Sequence, residues 1–302
     1  MNRQHKYNPP PPFKWYYGIF FVPIYVLMSL PLPVLYVLSD LFCWLARDII
    51  RYRKKVILTN LQHSFPEKSD AERHAIMHRY YRNMIDVFIE TFKALTISKK
   101  ELMKRVRMKD IDVIFDLFKE GRSVVLMLGH CGNWEWGGYS YTYHSAEQTN
   151  TLYHPLSNPF FEWLTYVIRS RCGVHMIPMQ NTLRTLLAYK DRITLTAFVS
   201  DQSPPPESAY WTTFLNQDTG FFTGAEKIAH KFNHAVVYAG IEHDKRGDYV
   251  ICFKLLSKEP KQEKEFAITQ RFADMLEEEI KATPELWLWS HRRWKTKKPT
   301  GI

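Results

Sequence analysis

His130 and Glu135 stand with four residues between them in the stretch 123–138, SVVLMLGHCGNWEWGG. A neutral imidazole can take a proton from a hydroxyl near pH 7. A carboxylate on its other ring nitrogen fixes the tautomer and steadies the imidazolium that forms. The pair therefore reads as a general base, His130, supported by Glu135 and acting on a hydroxyl. The bland alternative is a loop histidine beside a solvated glutamate, since HxxxxE spacing also arises by chance.

The elements around the pair place it. Residues 124–128 are an unbroken apolar run, the pattern of a strand buried on both faces. Gly129 ends the run, Gly132 allows a tight turn, and Asn133 is a good N-cap for a helix starting at Trp134. His130 is thus expected at the carboxyl end of a central strand, where open α/β sheets put their sites. Glu135 falls in the first helical turn, which favours a negative charge by ~0.3–1 kcal/mol.

The remaining pattern alternates strands and helices. Ser69 and Glu72 form a capping box that opens an amphipathic helix to about Leu95. A short strand near Val106 precedes a helix over 110–119. Strands follow at 149–153, 174–177 and 193–199, with helices starting at Asn158–Pro159 and over 182–189. Thr223 is the expected cap of a further helix. Residues 235–241 and 249–255 form a strand pair across the charged turn HDKRGD, and 265–281 is a long helix. This order predicts an α/β fold with a central, mostly parallel sheet flanked by helices.

Residues 18–45 carry one charge, Asp40, and the run exceeds the ~20 apolar residues that span a bilayer. Pro23, Pro31 and Pro33 each remove a helix hydrogen bond. The reading is one kinked membrane helix or an embedded hairpin; the alternative is a pair of buried helices broken near 30–33. Before it, residues 1–12 form a polar tail that ends in four prolines. Arg47, Arg51, Arg53, Lys54 and Lys55 follow the segment, which sets the remaining chain on the cytoplasmic side. Residues 1–55 are accordingly read as tail and anchor, and 56–302 as the catalytic domain.

Composition is compatible with this and selects little by itself. The 302 residues carry a net charge of +10 and include 19 Phe, 17 Tyr and 9 Trp. That excess of positive charge suits anionic lipid, nucleic acid or an acidic protein. Nucleic acid is set aside because no RRM, KH or helix-turn-helix pattern accompanies it. Cys43, Cys131, Cys172 and Cys252 are scattered without a CxxC pair, so neither a disulfide framework nor a zinc site is implied.

Several words in the chain together resemble the lipid A biosynthesis late acyltransferase family. They are GHCGNWE, the NLQHSFP opening of the capped helix, YHPLSNPFFEWLTYVIRSRCG, the DQ after the 193–199 strand, and PELWLWSHRRWKTKKP. Cys131 stands where that family often has an aromatic residue, and His154 stands where it has arginine. The resemblance implies transfer of a fatty acyl chain from acyl carrier protein or acyl-CoA to a hydroxyl of a lipid A precursor, at the inner (cytoplasmic) membrane. His130 and Glu135 would be the catalytic dyad. Arg169, then Arg171, would steady the oxyanion or place substrate, and Asp201 would contact substrate or shape its loop. No metal and no bound cofactor is implied. The tryptophan-rich, basic C-terminus is expected where apolar chains meet phosphate headgroups. Another lipid acceptor, such as a glycerol phosphate or amino-acid lipid, and a non-catalytic membrane adaptor are the alternatives.

Overall fold

The computed structural model describes residues 10–299, so most of the proline-ended tail (residues 1–9) lies outside the described residues. The strands are β1 Val106–Lys109, β2 Val124–Leu128, β3 Gln148–Tyr153, β4 His175–Pro178 and β5 Thr194–Val199. They continue with β6 Ala209–Phe214, β7 Gln217–Phe222, β8 Ala235–Lys245 and β9 Asp248–Ser257. Seven of them form one sheet in the order β1-β9-β8-β2-β5-β3-β4. All its pairings are parallel except β8 with β9, which meet as a hairpin across Gly247. Helices flank the sheet, as the alternating pattern predicts.

β2 lies near the middle, between β5 and β8, and all five of its residues are buried. Its apolar run has no polar alternation because it faces packed side chains above and below. The register pairs Leu128 with Val199, and Ser200 N–H donates to Leu128 O at 3.0 Å. Residues at equal offsets beyond these two strands are therefore brought side by side. His130 and Asp201 are each two residues past that last pair.

The β6–β7 hairpin is absent from the sequence reading. Its two-residue loop, Leu215 and Asn216, has both residues at positive φ (48° and 62°). Hairpin turns of that kind are normally announced by Asn-Gly or Asp-Gly. Leucine carries no such signal.

The capping box is present: Glu72 N–H donates to Ser69 Oγ, and Ser69 N–H to Glu72 Oε2. The helix it opens, Asp70–Lys93, is the platform for the N-terminal segment. That segment forms two helices, Tyr17–Met28 and Leu32–Trp44, the second continuing to Ile49. They bend by 112° at the proline break. Among the described residues no single helix is long and apolar enough to cross a membrane. Leu32, Leu35, Ser39 and Cys43 make a buried stripe at helical spacing, against the Asp70–Lys93 helix. Lys93 Nζ clamps the turn by donating to Met28 O and Leu30 O at 2.7 and 2.9 Å. The other faces, including Ile19, Phe20, Val26, Val37 and Leu41, are exposed. Exposed apolar side chains in this number suit an interaction face.

Candidate active site

His130 leaves β2 through Gly129, and the turn closes at Gly132, whose φ is +49°. A Cβ at Gly132 would also meet Ile241 Cγ2 at 3.0 Å, so glycine is required there for two reasons. Asn133 Oδ1 accepts from Trp136 N–H at 2.8 Å and caps the Trp134–Tyr141 helix. This strand–turn–helix unit places His130 and Glu135 as the sequence leads one to expect.

The bonding of the imidazole differs from that expectation. His130 Nδ1 lies 2.5 Å from Asp201 Oδ1, so the carboxylate holding the ring is Asp201 and not Glu135. The other oxygen, Oδ2, accepts from the His130 backbone N–H at 2.9 Å and from Trp287 Nε1–H at 2.8 Å. Burial pushes the Asp201 carboxyl up. The charge and hydrogen bonds of His130, with the bond from Trp287, outweigh burial and hold the pKa at about 2. An ionised Asp201 only accepts, so Nδ1 carries a proton, and in the neutral form of the ring the lone pair is therefore on Nε2. Gln202 Nε2 is 3.3 Å from that Nε2, and the ring of Trp134 packs edge-on at 4.9 Å.

Glu135 is committed elsewhere. Arg169 grips it with two nitrogens, Nε on Oε2 at 3.0 Å and Nη2 on Oε1, and Tyr139 O–H donates to Oε2 at 2.6 Å. Burial works against ionisation of Glu135, but Arg169 and Tyr139 overcome it and keep its pKa below the ordinary value. Glu135 and Arg169 thus form one ion pair beside the imidazole, both lining the same cavity as His130.

Arg171 is not part of this group. Its Nη1 and Nη2 donate to Ala94 O and Ile97 O at 2.8 and 3.0 Å, where they cap the end of the Asp70–Lys93 helix. Two residues along a helix point to different sides, so Arg169 and Arg171 could not both face the site. Cys131 is buried, and burial pushes its thiol well above the usual range, so it is no thiolate nucleophile.

The C-terminal segment also departs from its reading as a headgroup surface. Trp287 and Trp289 are buried, and Trp289 and Trp294 spend their N–H groups on Pro284 O and Thr219 Oγ1. Arg293 is buried over Phe221 and donates to Gly220 O. The aromatic word is a core strap that braces Asp201 from behind. Only Arg292, Lys295, Lys297 and Lys298 among its cations are exposed.

The cavity itself has a volume of about 860 Å³. That is toward the upper end of small-molecule sites, roughly 300–1,000 Å³. Its floor is one face of the sheet: Leu126 and Leu128 of β2, Ala197 and Val199 of β5, Ala239 and Ile241 of β8. Residues two apart on neighbouring strands share that face. The polar groups His130, Glu135, Arg169 and Gln202 line the same space. A general base facing an apolar cavity suits a substrate with a long hydrocarbon part and a reacting polar group.

Comparison with known proteins agrees with this chemistry. Residues 2–296 match the family model for bacterial lipid A biosynthesis acyltransferase. The chain is 23% identical over 282 residues to a lipid A biosynthesis palmitoleoyltransferase of Escherichia coli, covering 92% of this chain and 90% of that one. It is 23% identical over 281 residues to the lipid A biosynthesis lauroyltransferase of the same organism, with the same coverage. A lipid A biosynthesis acyltransferase of Haemophilus influenzae is 25% identical over 195 residues, 64% of this chain and 60% of that one.

Proposed function

Because the chain belongs to the bacterial lipid A biosynthesis acyltransferase family, we propose that it moves a fatty acyl chain from acyl carrier protein or acyl-CoA to a hydroxyl of a lipid A precursor. The observation that carries this is His130 Nε2, facing an apolar cavity with the Gln202 amide 3.3 Å away, on a ring held from behind by Asp201. In the reaction, Nε2 takes the acceptor hydroxyl's proton as the oxygen attacks the thioester carbonyl. Asp201 stabilises the imidazolium. Arg169, with Nε and Nη2 engaged by Glu135, offers its remaining nitrogen to the oxyanion. The C–S bond then breaks, the proton passes from Nε2 to the leaving sulfur, and the new C–O ester bond remains. Each CH₂ of the acyl chain buried in the cavity contributes about 0.8 kcal/mol to binding.

The acceptor is tested by mass spectrometry of membrane lipids from cells with and without the protein. A lipid A species heavier by one acyl chain, present only with the protein, is the expected result. A mass gain on a glycerol phosphate or amino-acid lipid instead would reassign the acceptor.

The apolar helix pair is inferred to embed in the cytoplasmic face of the inner membrane, with residues 56–302 as the catalytic part outside the bilayer. The 12-residue helix is about 18 Å long, short of the ~30 Å hydrocarbon core. An embedded hairpin therefore fits better than a spanning helix. Replacing the exposed Ile19, Phe20, Val26 and Val37 by serine should move the protein from washed membranes into the soluble fraction, since each loses roughly 1.5–3 kcal/mol of burial. Deleting residues 1–45 is a poorer test, because it also strips Leu35 and Cys43 from the core. Unchanged sedimentation of the unaggregated serine variant would refute the placement.

The exposed cations Lys295, Lys297 and Lys298 are assigned to docking a charged substrate, either the acidic carrier protein or a phosphorylated acceptor. Their neutralisation should raise KM for one substrate and leave kcat nearly unchanged. Added salt should do the same, because exposed charges are screened over ~8 Å at physiological ionic strength. Steady-state kinetics with donor and acceptor varied separately identify the partner. An unchanged KM for both at low salt would make this an ordinary solvated chain end.

A further inference from the structure

The turn that carries His130 rests on a buried carboxylate outside the site, Glu90 of the Asp70–Lys93 helix. Glu90 has no exposed surface. Its Oε1 accepts from Tyr36 O–H at 2.7 Å, and its Oε2 from Asn133 Nδ2–H at 2.7 Å and Tyr249 O–H at 2.8 Å. Its backbone oxygen accepts from Trp136 Nε1–H at 2.8 Å. Three elements meet on this one side chain: the apolar helix pair through Tyr36, strand β9 through Tyr249, and the site turn through Asn133.

Asn133 is the telling contact. Its amide has two unlike ends, and the cap needs the oxygen toward Trp136 N–H. A carboxylate only accepts hydrogen bonds, so the Asn133 NH₂ must face Glu90. Turned over, the amide would set oxygen against oxygen and NH₂ against the helix N–H groups. Asn133 lies three residues after His130 and two before Glu135, so its orientation fixes the geometry between them. Burial pushes the Glu90 carboxyl up, to about 7, while the bonds from Tyr36, Asn133 and Tyr249 pull it down. Three side-chain donors converge on its two oxygens, the surroundings of a carboxylate acceptor, and the test is run at pH 8 to favour that form.

We propose that Glu90 is a positioning residue for the site: seated by Tyr36 and Tyr249, it orients the Asn133 amide and thereby sets the turn between His130 and Glu135. The kinetic part of the test rests on the acyl-transfer reading; the structural part does not.

Exchanging the two partners' roles provides the test, at pH 8. Asn133→Asp alone retains a good N-cap but sets carboxylate against carboxylate. It is expected to lower kcat by about tenfold or more with KM within about twofold, and to speed amide hydrogen exchange across 130–141. Glu90→Gln alone can keep its amide oxygen toward Asn133 and Tyr249 and its NH₂ toward Tyr36, so it should stay within about threefold of the unmodified protein. In the double variant, Glu90→Gln with Asn133→Asp, the new amide donates to the new carboxylate, and both kcat and exchange should recover. A purely structural loss would lower the melting temperature and the amount of folded protein without a selective fall in kcat per folded molecule, so melting is recorded beside the kinetics. An Asn133→Asp variant that behaves like the unmodified protein, or a double variant no better than the single, overturns the proposal. If the unmodified protein transfers no acyl chain, the acyl-transfer reading fails, and the exchange data alone decide the role of Glu90.

Discussion

His130→Ala is expected to slow acyl transfer by at least about 10²–10⁴-fold, the range for loss of a general base. The fold should survive the change. Asp201 keeps two of its donors, the backbone N–H of residue 130 and Trp287 Nε1–H, so no buried carboxylate is stranded. Alanine also suits the turn, because His130 is not among the residues at positive φ. Single-turnover rates with saturating donor isolate the chemical step, and thermal melting reports folding separately. Substrate binding should change little, since the apolar floor formed by β2, β5 and β8 is untouched. Comparable turnover from a well-folded His130→Ala would falsify the assignment of His130 as base.

How much of this was legible before the fold is instructive at Asp201. The strand–turn–helix around His130 could be read directly, because each step (apolar run, Gly129, Gly132, the Asn133 cap) is a local signal. So could the ends of β5 and the position of Asp201 just beyond it. That β5 is the neighbour of β2 could not. Chain order places β3 and β4 between them, and strand order follows from how helices pack across the whole sheet. Once the two strands are adjacent, equal offsets past Leu128 and Val199 bring His130 and Asp201 together. Glu135 and Arg169, 34 residues apart in the chain, meet only in three dimensions, and Arg171, a similar residue two positions on, is turned away by the helix. The C-terminal tryptophans misled for a related reason. Tryptophan suits both a membrane interface and a core with an internal acceptor for its N–H, and local sequence does not separate these. Glu90 gave no signal, being one acidic residue in an amphipathic helix; its partners come from segments 54, 43 and 159 residues away.

The second large effect distinguishes the two carboxylates. Asp201→Asn should lower kcat by about 10²–10⁴-fold with KM little changed, as the equivalent amide does in a Ser-His-Asp triad. The reason lies in three donors. The new amide oxygen is needed at the Oδ2 place, where it accepts from His130 N–H and Trp287 Nε1–H. Its NH₂ then faces Nδ1, which must become the acceptor, and the ring proton moves to Nε2. The base is lost while every contact keeps its shape. A second signature is acid stability. The Asp201 pKa is depressed to about 2 in the folded chain, from an ordinary value near 3.8. Its contribution to stability is therefore complete above about pH 4 and disappears as pH falls from there toward 2. Asp201→Asn should lack that component of acid unfolding. Glu135→Gln acts differently, by freeing Arg169 from its ion pair. Its cost should be about that of one lost oxyanion donor, roughly 10²–10³-fold. Because the two residues work as a unit, Glu135→Gln combined with Arg169→Gln should lose little more than either alone. Additive losses in that cycle would separate Glu135 from Arg169. Together with a mild Asp201→Asn, they would mean that Glu135 and not Asp201 supports the imidazole during turnover.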